Sequence, residues 1–493
     1  MSARAIMVLG CTSGAGKSWL VTALCRIYAR KGCRVAPFKA QNMSNHARVV
    51  ALGDGSEGEI GSAQYFQALA AGIAPEVRMN PVLLKPESDT RSQVVLLGKV
   101  RDDLRSRAWR ERSDELWAVA RDAYLSLASD YDLIILEGAG SPAEINLASN
   151  DFVNTRSALL SDAACLLVAD IDRGGAFAHL FGTHQLMDAG VRARLRGFVL
   201  NRFRGDAALL APGPSKLEAM TGVPTVAVVP MVHDHGVPEE DAVPRDSDEG
   251  AAGPRFVVVA APHASNLEEF EPLRAAGVRL SFVRDARDIE SADWLILPGS
   301  KQTRSDLAWL RQRGMEGAIR GHIAAKRPVL AVCGGLQLLG ERLEDPEGLE
   351  GAPAGEEAGL GLLPLVTRYV SQKHLSRGRA RFGALDGAWL RLSHMDVSGY
   401  EIHLGRTVPA TGAPRALQTA LVSTADGAAL GWQFGQILGV YCHGLLENPA
   451  VLAALTGAVT RTGVATHRPE SAFDIVADVV ERSFTPGFLD SLV

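Results

Sequence analysis

Several features that define common classes of protein are scarce or missing in this chain of 493 residues. Its six cysteines, at positions 11, 25, 33, 165, 333 and 442, form no CxxC pair and follow no regular spacing, so we expect neither a disulfide framework nor a zinc site. The net charge is −5 and the sequence has no basic stripe, which makes nucleic acid an unexpected partner. No apolar run reaches the length of a membrane span, and the opening MSARAIMVLG has no signal-peptide pattern. We therefore expect a cytoplasmic protein with no membrane partner.

The chain does have the length and the apolar content for more than one domain. Hydrophobic residues make up 47% of it, which is enough for two or three separate cores. The stretch 232–255, VHDHGVPEEDAVPRDSDEGAAGPR, is rich in proline, glycine and acidic residues and has no apolar period. We predict a first domain over 1–231, a linker over 232–255 and a second domain over 256–493.

The most informative stretch is PVLAVCGGLQLLG, residues 328–340, where an apolar strand pattern stops at Cys333 and a helical pattern follows. A strand–nucleophile–helix turn exposes a side chain at the carboxyl edge of a parallel sheet, and Gly334 lets a backbone N–H approach a reacting carbonyl. The N-terminal end of the helix would also favour a thiolate. A buried structural cysteine is the alternative, so a second residue has to decide.

That second residue is His443, which ends another apolar run in GQILGVYCHGLLEN. Two strand ends in one sheet can bring a thiol and an imidazole together, and a cysteine activated by a histidine is a standard nucleophile. A third turn, in WLILPGSKQT, places Gly299 where it could supply another N–H to an oxyanion. The alternative is that His443 is a core histidine whose hydrogen bonds are satisfied and that takes no part in catalysis.

The first domain begins with a phosphate-binding pattern. An apolar strand, the loop GCTSGAGKS and a helical segment follow one another, the order in which a glycine-rich loop cradles phosphates at the start of a helix. A glycine-rich turn without a ligand is the alternative. The residues expected to bind nucleotide in this loop are Gly10, Thr12, Gly14, Gly16, Lys17 and Ser18.

Three further residues extend the predicted nucleotide site. Glu137 ends the strand in YDLIILEGAG and could ligate Mg²⁺ with the Ser18 hydroxyl. Asn201, at the end of RGFVLN, has an amide that could pair with adenine. Glu59, placed by the pattern at the head of a helix, could ligate Mg²⁺ or simply cap that helix.

Polar residues beyond other strand ends are candidates for contacts with a second substrate. They come from FKAQNMSNHA, from MNPVLLKP and from the loop after Glu137, and solvated loop residues are the alternative. These candidates are Lys39, Gln41, Asn42, Lys85, Glu144 and Asn146.

The strand and helix patterns together predict an α/β protein of two doubly wound parallel-sheet domains. LPGSKQT, AVCGGLQLLG and YCHGLLEN resemble the class I glutamine amidotransferases, in which the cysteine attacks the side-chain amide of glutamine and ammonia is released. The resemblance implies that an amidotransferase-like domain follows a P-loop NTPase-like first domain. Many members carry a glutamate two residues after the histidine. Here that residue is Leu445, as in the branch that acts on cobalamin precursors. An antiparallel insertion is expected over 368–414, and its His403 is interpreted as structural.

The phosphate loop resembles that of dethiobiotin-synthetase-like proteins, because Gly10 stands one residue earlier than in the standard loop. Along nearly the whole chain, PFKAQNMSN, MNPVLLKP, LEGAGSPAEINL, VADIDRGGAFA and GYEIHLG resemble the cobyric acid synthase family. One departure is Ser62, where that family usually has arginine.

The resemblance implies that glutamine and ATP are used, with Mg²⁺, to amidate the b, d, e and g carboxylates of adenosylcobyrinic acid a,c-diamide through acyl phosphates, in cobalamin biosynthesis. The alternatives are a cobyrinic acid a,c-diamide synthase and a ParA-like ATP-dependent switch with an inactive amidotransferase domain.

Overall fold

The first part of the computed structural model is built on a parallel sheet. Strands up to Pro230 are β1 (Arg4–Gly10), β2 (Val35–Phe38), β3 (Gln41–Met43), β4 (Ala47–Ala51), β5 (Glu57–Gly61), β6 (Val82–Ser88), β7 (Arg91–Leu96), β8 (Lys99–Val100), β9 (Leu133–Glu137), β10 (Ala164–Asp170), β11 (Leu195–Phe203) and β12 (Thr225–Pro230). Helices are α1 (Lys17–Arg30), α2 (Ser62–Ala70), α3 (Trp109–Asp130), α4 (Ser157–Ser161), α5 (Ala176–Leu186), α6 (Ala189–Arg192) and α7 (Gly213–Thr221). The structure describes residues 3–88, 91–104, 107, 109–232, 235–237, 253–350, 352–457 and 469–493.

The strand order of this sheet is β12-β11-β10-β1-β9-β2, and the neighbouring strands are parallel. β1 is apolar and buried from residue 5 onward because helices cover both faces of the sheet. The chain leaves β1 toward β2 on one side, while β10 lies on the other side. The loop after β1 therefore opens at the crevice where ligands bind in doubly wound sheets.

Two small sheets follow β2. One has the order β3-β6-β7-β8, and the other is the hairpin of β4 and β5, which leads directly into α2. The long helix α3 begins at Trp109, after a separate 3₁₀ turn over 102–104.

The second part of the chain has its own sheet. Its strands are β13 (Arg255–Val259), β14 (Ala264–Ser265), β15 (Arg279–Val283), β16 (Trp294–Leu297), β17 (Gly299–Ser300), β18 (Val329–Val332), β19 (Arg342–Asp345), β20 (Gly355–Ala358), β21 (Leu365–Phe382), β22 (Asp396–Pro409), β23 (Gln418–Ser423), β24 (Ala429–Phe434) and β25 (Ile437–Val440). Its helices up to Thr456 are α8 (Glu271–Ala275), α9 (Ala286–Glu290), α10 (Thr303–Gln312), α11 (Met315–Ala324), α12 (Gly334–Leu339) and α13 (Pro449–Thr456).

The strands β15-β13-β16-β18-β25 are parallel neighbours, and antiparallel strands continue the sheet beyond β25. The predicted α/β class is confirmed. The insertion expected over 368–414 contains the long antiparallel pair of β21 and β22. Most of the predicted linker, residues 233–234 and 238–252, lies outside the described residues.

The last part of the chain returns to the first sheet. The helix α14 (Pro469–Ser483) packs on α1, where Phe473, Val476 and Val480 share an apolar core with Leu24. Arg26 donates to Asp474 through Nε at 2.7 Å and Nη2 at 3.0 Å. The expected extent of the second domain, 256–493, therefore differs from the structure. A local apolar pattern predicts that a helix forms but not which of two cores it covers.

Among the residues that the structure describes, no helix is both long enough and apolar enough to cross a bilayer.

Candidate active site

The predicted nucleophile elbow is present at Cys333. β18 ends at Val332, and Cys333 has φ 50° and ψ −106°, a left-handed backbone that is strained for any residue other than glycine. α12 begins at Gly334, where an added Cβ would lie 2.5 Å from the backbone nitrogen of Ser300. The elbow and the predicted oxyanion turn at Gly299 are therefore in direct contact.

Cys333 and His443 meet because their strands are neighbours. β18 and β25 are parallel and end at the same edge of the sheet, and the N–H of Cys333 donates to the carbonyl of Val440 at 2.8 Å. Cys333 is 5% exposed, and its Sγ lies 3.8 Å from the carbonyl oxygen of Ile402. The thiol also interacts with the imidazole of His443 strongly enough to raise the pKa of that ring. Gly299 borders the same imidazole, since its Cβ would lie 3.0 Å from His443 Cε1.

A carboxylate that the sequence analysis missed completes a triad. Glu269 Oε1 lies 2.9 Å from Nδ1 of His443, and its Oε2 accepts from the N–H of Gly444 at 2.9 Å. The contact with Glu269 leaves Nε2 of His443 for the thiol. Burial alone would lower the pKa of His443, but the charge of Glu269 and the interactions of the ring with Cys333 and Glu269 raise that pKa to about 10. The raised pKa favours transfer of the thiol proton to the imidazole.

Glu269 takes the place of the glutamate that many amidotransferases have two residues after the histidine. Leu445 occupies that position here and is 2% exposed, so it packs in the core. Glu269 belongs to the turn SNLEEF, far from His443 in sequence. The only available signal was a pair of glutamates, Glu268 and Glu269, within an otherwise amphipathic segment that leads into α8.

His403 lies nearby but is engaged elsewhere. Its Nδ1 faces the carbonyl of Gly405 at 2.7 Å, and its Nε2 faces Oε2 of Glu401 at 3.2 Å. The ring stacks on Tyr441 with a centroid distance of 4.0 Å. Both ring nitrogens therefore have partners other than the thiol, which supports the structural interpretation of His403.

We expect His443→Ala to lower the rate of glutamine hydrolysis by at least roughly a hundredfold, the usual contribution of general acid–base catalysis. Amide synthesis from ammonium salts should persist, because it needs no thiol chemistry. His403→Ala is the matched control and should hydrolyse glutamine at nearly the original rate. If His403→Ala stops hydrolysis and His443→Ala does not, the base has been assigned to the wrong residue.

We also expect Glu269→Gln to lower glutamine hydrolysis by roughly a hundredfold or more. The amide oxygen would accept from Gly444, which turns the NH₂ group toward Nδ1 of His443. The proton of the neutral His443 ring then lies on Nε2, so Nε2 cannot accept the proton of the Cys333 thiol. Glu271→Gln, two residues further on, is the control, since Glu271 pairs with Arg274 at 3.0 Å instead. Equal hydrolysis rates for both variants would contradict the orienting role.

The predicted phosphate loop connects β1 to α1. Gly14 and Gly16 have φ 69° and 91°, which side-chain-bearing residues rarely adopt. Nζ of Lys17 donates to the carbonyl of Thr12 at 3.1 Å and to that of Gly140 at 3.4 Å, so it spans the mouth of the loop. A Cβ on Gly10 would lie 2.9 Å from that Nζ.

Ser18 and Glu137 lie together, as the sequence predicts. The Ser18 hydroxyl donates to Oε1 of Glu137 at 2.8 Å, and Nζ of Lys39 donates to the same oxygen at 2.7 Å. Gln67, on α2, donates to Oε2 at 2.6 Å. Burial would raise the pKa of Glu137, but the charge and hydrogen bond of Lys39 bring that pKa below its usual value. Glu137 is therefore an ionised carboxylate beside the phosphate loop.

Glu59 does not lie at the head of a helix, as the sequence pattern suggested. It is in β5, and α2 begins three residues later, at Ser62. Its carboxylate binds two lysines, Lys85 and Lys373, the latter at 2.5 Å. These two lysines outweigh burial and lower the pKa of Glu59 to about 2. The hydrogen bonds of Glu59 thus go to lysines rather than to the Ser18–Glu137 pair.

Lys85, predicted to contact substrate, lies in the same buried cluster between the two sheets. Burial, reinforced by the charge of Lys373, lowers the pKa of Lys85 to about 7 despite the carboxylate of Glu59. Lys301, from the LPGSKQT turn, donates to Oε1 of Gln93 at 3.2 Å close by. This cluster joins the first domain to the second.

The other predicted substrate residues fall into two groups. Gln41 and Asn42 are buried in β3, and Asn42 donates to Gln64 at 3.3 Å. Glu144 and Asn146 are exposed on the loop after Gly140. Lys39, as described, pairs with Glu137.

Asn201 supports the loop itself. It is 4% exposed, and its Nδ2 donates to the carbonyl of Ala15 at 2.9 Å, against Gly16. The predicted contact with adenine has no support in this geometry, since the amide nitrogen is directed at the loop backbone.

Comparisons with known proteins match both parts of the chain. Residues 6–243 match the family described as the CobQ/CobB/MinD/ParA nucleotide binding domain, and residues 255–451 match the CobB/CobQ-like glutamine amidotransferase domain. Two relatives are each named cobyric acid synthase and are each 57% identical, with 100% of this chain and 97% of the relative covered. They come from Methylibium petroleiphilum and Leptothrix cholodnii. A third of the same name, from a Polaromonas species, is 53% identical over 100% of this chain and 98% of its own length.

Proposed function

The chain belongs to the cobyric acid synthase family, and we propose that it amidates the b, d, e and g carboxylates of adenosylcobyrinic acid a,c-diamide with ammonia from glutamine, at the expense of ATP. The observation that carries the proposal is the presence, in one chain, of an assembled Cys333–His443–Glu269 triad and a P-loop beside Glu137. Each of these two sites supplies one half of a glutamine-dependent ligase. We keep the cytoplasmic location as a prediction from the sequence.

In the glutaminase half, His443 takes the thiol proton and the Cys333 sulfur attacks the side-chain amide carbon of glutamine. We propose that backbone N–H groups at Gly299 and Gly334 donate to the developing oxyanion, which is supported by the contact of Gly299 with the His443 ring and of Gly334 with the neighbouring Ser300. The C–N bond then breaks, and the imidazolium gives its proton to the departing nitrogen, so ammonia leaves and a thioester remains. Water hydrolyses the thioester to glutamate and restores the thiol. Glu269 holds the ring throughout.

In the ligase half, the acceptor carboxylate attacks the γ-phosphorus of ATP, which gives ADP and an acyl phosphate. Ammonia then replaces the phosphate at the acyl carbon. We propose that Lys17 stabilises the phosphate oxygens, together with the N–H groups at the start of α1, and its contact with the loop carbonyl of Thr12 supports this role.

The residues present fit a Mg²⁺ ion. The Ser18 hydroxyl and the ionised Glu137 carboxylate are oxygen donors of the kind that Mg²⁺ prefers, and they already lie 2.8 Å apart. When bound there, Mg²⁺ would neutralise charge on the β- and γ-phosphates. Lys39, on the same carboxylate oxygen, holds Glu137 in its ionised state. Glu59 is not part of this donor set.

The two alternatives receive less support. A cobyrinic acid a,c-diamide synthase would share both folds, but the full-length relatives reported above carry the other name. A ParA-like switch with an inactive amidotransferase domain does not require the strained Cys333 elbow or the hydrogen-bonded His443.

The direct test gives the purified protein glutamine, ATP, Mg²⁺ and adenosylcobyrinic acid a,c-diamide and follows the corrinoid by mass spectrometry. We expect stepwise conversion to the species with all four remaining propionates amidated, and a parallel release of ADP and glutamate. A second reaction offers cobyrinic acid, whose a and c carboxylates are free. Amidation at a and c alone would identify the diamide synthase, and no amidation with either corrinoid would overturn the proposal.

A further inference from the structure

The hairpin of β4 and β5 reaches from the ATP-binding domain to the glutaminase site. At its start, the N–H of Ala47 donates to Oδ1 of Asn266 at 3.1 Å, and Nδ2 of Asn266 donates to the carbonyl of Ala47 at 3.1 Å. Asn266 also donates to the hydroxyl of Tyr400 at 2.8 Å. Three residues after Asn266 is Glu269, the carboxylate that orients His443. The hairpin is therefore fixed directly to the loop that carries part of the triad.

Arg48 follows Ala47 on this hairpin and is only 2% exposed. Its Nη1 donates to Oε1 of Glu447 at 2.5 Å, and its Nε lies 3.6 Å from Oε1 of Glu268. Both carboxylates belong to the second domain. A buried guanidinium costs free energy unless it is paired, so the two acidic partners account for its position across the interface.

Aromatic rings from both domains enclose the same guanidinium. Its carbon lies 4.8 Å from the ring centroid of Phe66, 5.5 Å from that of Tyr65 and 5.2 Å from that of Tyr400. Phe66 and Tyr65 are on α2 of the ATP-binding domain, whereas Tyr400 is on β22 of the amidotransferase domain. Contact between a guanidinium and aromatic rings is favourable, so Arg48 helps to fix the orientation of the Tyr400 ring.

Tyr400 connects Arg48 to the catalytic histidine. Its ring stacks on His443 with a centroid distance of 5.2 Å and an interplanar angle of 19°. The two backbones also pair, since the N–H of His443 donates to the carbonyl of Tyr400 at 2.8 Å and the reverse bond is 3.2 Å. On the other side of Arg48, Glu268 precedes Glu269 and also accepts from the hydroxyl of Ser62 at 2.8 Å. Arg48 thus contacts the neighbours of both His443 and Glu269.

We propose that Arg48, supplied by the ATP-binding domain, is a positioning residue of the glutamine-hydrolysing triad. It holds Tyr400 against one face of the His443 ring and holds the Glu268–Glu269 turn at the distance that the imidazole requires. The glutaminase site is therefore completed by a side chain from the other domain. The inference rests on the proposed function for its context, but it concerns glutamine hydrolysis, which can be measured without any corrinoid.

The test compares Arg48→Ala, Arg48→Lys and Glu57→Gln in the full chain. Glu57 is the matched control because it lies on the same hairpin and contacts the same neighbouring domain, through the N–H of Arg377 at 2.7 Å, but it does not contact Tyr400 or Glu268 in the described structure. We expect Arg48→Ala to lower kcat for glutamate release by at least about tenfold, with little change in KM for glutamine, because the triad is misplaced while the substrate pocket is retained. Arg48→Lys keeps a cation over the rings and should recover part of the loss.

Synthesis from ammonium salts separates positioning from a general effect on folding. It should stay within about twofold in all three variants, since it uses only the ligase half. An unchanged kcat in Arg48→Ala would overturn the proposal, as would an equal loss of glutamine hydrolysis and ammonia-dependent synthesis, which would indicate a purely structural contact. If the unmodified protein hydrolyses glutamine but amidates no corrinoid, the proposed function fails while the comparison of hydrolysis rates still decides the role of Arg48.

Discussion

Cys333→Ala is expected to abolish amide synthesis from glutamine and to leave synthesis from ammonium salts intact. The thiol is the atom that bonds to the glutamine carbonyl carbon, and no other thiol in the described structure lies on a strained elbow that also contacts His443. Loss of a nucleophile commonly costs roughly 10⁴-fold or more in rate. Ammonia added to the solution bypasses this step, so the ligase half should continue to work.

The measurement is ADP release and corrinoid mass in parallel reactions with each nitrogen donor. Cys442→Ala is the matched control, because Cys442 lies one residue before His443 and is equally buried. Burial raises the pKa of the Cys442 thiol to about 12, so it remains protonated and unreactive. We expect this control to retain the use of glutamine. Equal loss with both nitrogen donors in Cys333→Ala would contradict the assignment of Cys333 to ammonia release.

The parts of the fold that the sequence predicted are those set by local patterns. The phosphate loop and the elbow at Cys333 each combine an apolar strand with glycines at a turn, and such segments specify their geometry within about ten residues. Ser18 and Glu137 could be paired in advance for a related reason. Glu137 ends one strand, Ser18 follows the loop after another, and parallel strands end at the same edge of a sheet.

The parts that the sequence did not predict depend on contacts between distant segments. Glu269 has no motif of its own, and only the packing of its turn against His443 gives it a function. Glu59 has a carboxylate, which is a common metal ligand, but in the structure this carboxylate pairs with Lys85 and Lys373, which come from two different domains. The helix α14 is amphipathic, and an amphipathic helix can cover the core of either domain, so its sequence could not indicate that it packs on α1. In each case the deciding partner lies far away along the chain.

The second large effect is expected for Lys17→Ala, which should stop amide synthesis with glutamine and with ammonium salts alike. Both reactions need phosphoryl transfer, and Nζ of Lys17 is held across the phosphate loop by the carbonyls of Thr12 and Gly140. Removing one preorganised donor to a developing charge usually costs about 10²–10³-fold in rate. Glutamate release should persist in this variant, because Cys333, His443 and Glu269 all lie in the other domain.

Lys216→Ala provides the control for Lys17→Ala, since Lys216 is an exposed lysine on α7 of the same domain. It should amidate the corrinoid at the original rate with both nitrogen donors. The informative quantity is the ratio of corrinoid amidation to glutamate release. Lys17→Ala should lower this ratio by uncoupling the two halves, whereas Cys333→Ala removes glutamate release itself. Unchanged ammonia-dependent amidation in Lys17→Ala would show that GCTSGAGKS is not the loop that holds the reacting phosphates, and the ligase half would then have to use another site.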